Sequence, residues 1–106
     1  AFVRAVLRRF DLESRFEFVL TSDDVEQGKP HPEIYLTAAR RFGVTPGEVL
    51  VLEDSQNGCR AAVDAGTIAV AVPGGHSLRH DFTGAALVAD GLQDPRLLAM
   101  LPEPAA

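Results

Sequence analysis

The most constraining feature of this chain is an apolar run, Val49, Leu50, Val51 and Leu52, that ends in two adjacent carboxylates, Glu53 and Asp54. An uninterrupted run of this kind is the pattern of a central parallel strand covered on both faces. Helical stripes flank it. On the upstream side Ile34, Tyr35, Ala38, Ala39 and Phe42 recur at helical spacing, Pro32 suits the first helical position, and Gly43 is placed to end the helix in a left-handed conformation. On the downstream side residues 55–65 carry Cys59, Ala62 and Val63 on one face, with Gly66 as the stop.

The rest of the chain continues the alternation. AFVRAVLRRF places Phe2, Val3, Val6, Leu7 and Phe10 on one side of an amphipathic helix, and residues 16–20 read as a short strand entering the polar loop Thr21-Ser22-Asp23-Asp24. Residues 68–72 predict another strand, running into Pro73-Gly74-Gly75, and residues 86–89 a last short one. Asp94 can cap a final helix with Pro95 in its first turn and Leu97, Leu98 and Leu101 facing inward. Strands alternating with helices predict an α/β fold with a parallel sheet and flanking helices. There is no internal repeat or linker, so residues 1–106 read as one domain or part of one. The chain opens inside an element, and the small-residue tail after Pro102 reads as an end of chain.

With 106 residues, 46% of them hydrophobic, a modest core is possible. A domain this small hides only about two-thirds of its unfolded surface, so loss of a central element leaves it marginal. Fifteen acidic residues against ten basic give a formal net charge of -5, which disfavours a nucleic-acid surface. It does not disfavour a small anionic substrate, because one lysine and one bound cation can reverse the local field. Cys59 is the only cysteine, which excludes an internal disulfide and makes a cytoplasmic, reducing compartment the simplest reading. No apolar run approaches the roughly 18 to 20 residues of a membrane helix, so no membrane anchor is expected.

Two segments carry chemistry. Gly28-Lys29-Pro30-His31-Pro32 holds a lysine in a stiff loop before a helix, either a surface lysine in a turn or a fixed point charge for phosphate. Glu53-Asp54-Ser55, with Asn57 and Gly58, stands at the end of a strand, where open α/β sheets bind their ligands. Adjacent carboxylates repel unless a cation relieves them, and their oxygens suit magnesium. The bland alternative is that Asp54 or Ser55 merely caps the next helix. His31, His76 and His80 lack metal-binding spacing on one element, and Cys59 reads as a small core residue.

Taken together, GKPHPEIY, VLVLEDSQNG, the glycine-ended helix, IAVAVPGG and GAALVADGL resemble the C-terminal half of the haloacid dehalogenase-like hydrolases, in their phosphatase and β-phosphoglucomutase-like branch. The resemblance covers nearly the whole chain. It implies a Rossmann-like core, here its C-terminal part without a cap domain. It also implies that Lys29 contacts the substrate phosphoryl group, that Asp54 ligates Mg2+ with Glu53 helping through the same ion or its water, and that Ser55 and Asn57 support them.

The departure is as clear. The family's Asp-x-Asp-Gly-Thr motif, source of the nucleophile and the general acid/base, does not occur in this sequence, nor does its Ser or Thr motif. The implied reaction is attack by that absent aspartate on a small phosphorylated metabolite, an aspartyl-phosphate, and transfer to water or a sugar hydroxyl. This chain would supply the charge-stabilising half, with the missing N-terminal half as its partner. Two rivals stand beside this reading. A carbon-halogen hydrolase of the same superfamily works without magnesium and lacks the acidic pair, and a non-catalytic α/β module would explain the missing nucleophile. The resemblance further implies that residues 16–20 are cut off from the strands at 49–52 and 68–72 by absent central strands, so that this chain alone is inactive and unstable.

Overall fold

The computed structural model describes residues 2–102; Ala1 and the tail 103–106 read as an end of chain lie outside the described residues. The apolar run forms β1, Leu50–Glu53, which pairs in parallel with β2, Ile68–Ala71, in the register Leu50 to Ile68 through Glu53 to Ala71. β3, Leu87–Val88, adds in parallel on the far side of β2, giving the order β1-β2-β3. The fold is α/β, with a parallel sheet and flanking helices.

Local chemistry places the helices. α1, Phe2–Arg9, carries Arg8 and Arg9 in its last turn, where cations oppose the negative end of the helix dipole. α2, Glu33–Phe42, begins directly after Pro32, one position later than expected, and ends where Gly43 takes φ 73°. α3, Gln56–Asp64, crosses between β1 and β2. Its first turn is capped by the Ser55 hydroxyl, which accepts the Gly58 N–H at 3.0 Å. α4, Pro95–Leu98, is a single turn capped by Asp94.

The sheet has a core on each face, because successive side chains of a strand point to opposite sides. On one face Val51, Ala69 and Ala71 pack with Cys59 and Ala62 of α3, and Tyr35 of α2 leans on this cluster. Small side chains let α3 approach the sheet closely. On the other face Val70, Ala89 and Leu97 form a smaller cluster with Leu50, Val72 and Leu87 around it.

Three expectations change. Residues 16–20 do not form a strand; a strand needs a ladder partner, and among the described residues these have none. The segment is held by side chains instead: Arg4 donates to the Val19 carbonyl at 3.1 Å, and the Phe18 ring packs at a tilt of 48° on Phe42, centroids 4.6 Å apart, with the Arg41 guanidinium over it. Among the described residues β1 is an edge strand, bonded to β2 and to no other, rather than a central one, and Leu52 is 44% exposed. In the last helix only Leu97 is buried, while Leu98 and Leu101 are half exposed, since one turn has room for a single inward position.

Leu97 reaches the core because Asp94 fixes the turn that carries it. The buried Asp94 carboxylate accepts the N–H groups of Asp90 and Arg96 at 2.9 Å each and the Arg96 guanidinium at 2.7 Å. The Arg96 hydrogen bond, followed by those two backbone donors, holds its pKa far below the ordinary carboxylate range. A carboxyl whose pKa is depressed by folding stabilises the native state above its unfolded pKa, near 3.9, and loses that contribution as pH falls toward the folded value. Melting midpoints of the intact polypeptide should therefore drop below about pH 4. Asp94→Asn should lower the midpoint at neutral pH and flatten that acid limb. An unchanged acid limb in the variant would show that other carboxylates set it.

Candidate functional site

The loop carrying Lys29 is tied to the start of α2. The Glu33 carboxylate reaches back to accept the Glu26 N–H at 2.8 Å and the Gln27 N–H at 3.1 Å, while His31 Nδ1 accepts the Glu33 N–H at 3.1 Å. His31 is thus a helix-start residue. These bonds stiffen the loop and deliver the Lys29 ammonium to the carboxyl end of β1, where it forms an ion pair with Glu53 Oε2. The Lys29 side chain is 38% exposed and that of Glu53 only 9%, so one partner faces solvent and the other lies inside.

Tyr35 completes this cluster. Its hydroxyl donates to the same Glu53 oxygen, and its ring lies under the Lys29 ammonium, 5.2 Å from the ring centroid. Burial, then the hydrogen bond to Glu53, push the phenol pKa well above the ordinary tyrosine range, so the hydroxyl remains a donor. The carboxylate's other side rests on α3. A Cβ at Gly58 would fall 1.9 Å from Glu53 Oε1, a distance no real contact shows. Glycine there leaves the room that Glu53 occupies.

Asp54 adjoins that cluster without bonding to it. It is exposed, lines a shallow cavity with Leu52, Glu53, Val72 and Leu92, and takes no hydrogen bond or ion pair among the described residues. Its carboxylate suits a hard divalent cation, which needs only one or two protein carboxylates and fills its remaining positions with water and phosphate oxygens. Glu53 does not share that availability, since one oxygen takes two donors and the other faces Gly58. Among the described residues no group of three or more His, Cys, Asp and Glu side chains gathers around a possible metal position. The donor set this chain presents for a cation is therefore partial.

Ser55 caps α3, and Asn57 faces a separate polar cavity of about 200 Å³ beside Gln56, Arg60 and Asp81. His80 is occupied structurally, its Nδ1 accepting the Gln56 N–H at 3.3 Å. Cys59 is buried in the core, and that burial raises its thiol pKa. Neither Tyr35 nor Glu33 stands out in the sequence as a site residue, whereas Gly58 stands there with the Glu53-Asp54-Ser55 segment but without a role. Tyr35 was counted only as a member of α2's buried stripe, although a tyrosine in such a stripe needs a hydroxyl partner. A glycine inside a helix is likewise a signal of close approach.

Comparison with known proteins agrees with this architecture. A phosphatase of phosphorylated carbohydrates from Thermotoga maritima is 50% identical over 60 residues, 57% of this chain and 28% of that enzyme. The crystal structure of CbbY from Rhodobacter sphaeroides in complex with phosphate superposes with a TM-score of 0.71 at 36% identity, over 76% of this chain and 36% of that one. β-Phosphoglucomutase from Clostridium difficile gives a TM-score of 0.69 at 30% identity, over 82% of this chain and 37% of that one. The chain thus spans well under half the length of these relatives. A sequence model of the haloacid dehalogenase-like hydrolases matches residues 1–66, more than half of the 106, and the chain belongs to that family.

Proposed function

We propose that residues 1–106 are the C-terminal part of a hydrolase core domain, without a cap, that hydrolyses or transfers the phosphoryl group of a small phosphorylated sugar. The observation that carries this reading is the Lys29 ammonium held at the carboxyl end of β1, with the unengaged Asp54 carboxylate in the adjoining position. A strand's carboxyl end is where ligands enter such sheets, and a fixed ammonium is suited to phosphoryl oxygens. The sugar phosphate as substrate class is supported by the names of the relatives.

Lys29 binds and orients the phosphoryl group and stabilises charge that grows on its oxygens, the effect that dominates phosphoryl transfer. Glu53 holds Lys29 in place, and Ser55 fixes the start of α3 beneath the site. Asp54 would hold Mg2+, which when bound supplies further neutralisation of phosphoryl charge. The nucleophilic carboxylate that becomes the aspartyl-phosphate comes from residues outside this chain, whose sequence contains no Asp-x-Asp-Gly-Thr motif. Such an enzyme works on a soluble metabolite in the cytoplasm, not on nucleic acid or membrane.

The test is Lys29→Ala in the intact polypeptide, assayed for magnesium-dependent hydrolysis of a generic phosphate ester and of sugar phosphates. kcat/KM should fall by about two orders of magnitude, the scale of one catalytic electrostatic contact. Lys29→Arg should rescue poorly, because a planar fork does not replace a compact ammonium. Normal kinetics in both variants would reduce Lys29 to a turn residue and remove the proposal's support.

A further inference from the structure

We infer that Tyr35 is a positioning residue for Lys29, acting through the carboxylate of Glu53. The inference rests on the phosphate-binding role proposed for Lys29. Three contacts converge on one place: the Lys29 ammonium and the Tyr35 hydroxyl both donate to Glu53 Oε2, and the Tyr35 ring faces the same ammonium. A lysine has a long, flexible stem, and an ion pair alone leaves it several geometries. A carboxylate that can itself swing adds more. The Tyr35 hydroxyl removes that second freedom by pinning the accepting oxygen, and the ring adds a cation–π contact that favours one position of the ammonium. Gly58 closes the seat from the other side, since Glu53 Oε1 occupies the space a Cβ would need.

The seat is rigid because its parts belong to three different elements. Tyr35 sits on α2 against the core cluster of Val51, Cys59, Ala62, Ala69 and Ala71, Glu53 ends β1, and Gly58 lies in the first turn of α3. Misplacement of a charge-stabilising group by a fraction of an ångström lowers turnover more than it lowers binding. A purely structural tyrosine would instead lower stability and leave turnover unchanged.

Tyr35→Phe in the intact polypeptide keeps the ring and removes only the hydroxyl. We expect kcat for p-nitrophenyl phosphate in saturating magnesium to fall about tenfold with little change in KM, the scale of one hydrogen bond to a charged group. The same substitution made on a Glu53→Gln background should cost nothing further, because the two side chains act through one contact. Gly58→Ala should lower kcat as well, and the melting midpoint with it, since the added Cβ displaces the Glu53 carboxylate from its two donors. Full kcat in Tyr35→Phe, an equal loss on both backgrounds, or full kcat in Gly58→Ala would each overturn the inference. Lys29→Ala tells its failure from that of the parent reading. A severe Lys29→Ala beside a silent Tyr35→Phe sinks the positioning role alone, and silence in both sinks the phosphate-binding role with it.

Discussion

Asp54→Ala in the intact polypeptide should abolish magnesium-dependent hydrolysis of a generic phosphate ester while leaving the folded state intact. Both halves of that expectation follow from the environment of the side chain. Asp54 is exposed and takes no hydrogen bond or ion pair among the described residues, so truncating it breaks no polar contact among them, and exposed substitutions of this kind usually stay within about 0.5 kcal/mol. Its neighbour Glu53 is the opposite case. Glu53→Ala leaves the partly buried Tyr35 hydroxyl without its acceptor and the Lys29 ammonium without its partner, so it should lower stability as well as activity. The two carboxylates, adjacent in sequence, are thereby separable: activity is lost without destabilisation at Asp54 and with destabilisation at Glu53. Near-normal magnesium-dependent activity in Asp54→Ala would sink its assignment as the cation's ligand.

What the sequence disclosed and what it hid follow one physical rule. β1, α2 with its stop at Gly43, and α3 with its Ser55 cap were legible because periodicity and capping chemistry act within a few residues. Residues 16–20 were misread as a strand because a strand exists only with a ladder partner, and composition cannot report one outside the chain. For the same reason Leu52, in an apolar run suited to a covered strand, is exposed at a sheet edge. Within the site, Lys29 and the Glu53-Asp54 pair stood out as charged residues between glycine, proline and apolar runs. Their division of labour did not, because the contact between Lys29 and Glu53 joins residues 24 positions apart. Tyr35 was hidden by having two natures: its ring satisfies the apolar stripe that the sequence shows, and its hydroxyl does work visible only once Glu53 is beside it.

Residues 1–106 expressed alone should aggregate or unfold at low denaturant and show no phosphatase activity. Among the described residues β1 bonds to β2 only, so its outer edge presents backbone donors and acceptors in a strand whose sequence is Leu-Val-Leu-Glu, and an apolar open edge is a template for association. Other apolar surface is equally uncovered. Phe2 is 80% exposed, Phe10 65% and Phe16 52%, and α1 buries none of its residues despite a well-formed apolar stripe. The core, by contrast, is built largely from alanines, with Leu97, Val70 and Cys59 its largest fully buried side chains. Alanine-rich packing allows close approach of α3 to the sheet, yet each buried methyl contributes little beside a leucine or phenylalanine at about 25 cal/mol per Å² of apolar surface. Against that stands a conformational entropy cost of about 1 to 2 kcal/mol for each ordered residue. Covering the β1 edge and the exposed phenylalanines with the rest of the polypeptide would shift this balance, so an upstream half supplied in trans should raise solubility and restore some activity. Light scattering, a denaturant titration and a phosphatase assay on residues 1–106 decide the matter. A monodisperse monomer that unfolds cooperatively at high denaturant would show that the sheet is complete as it stands.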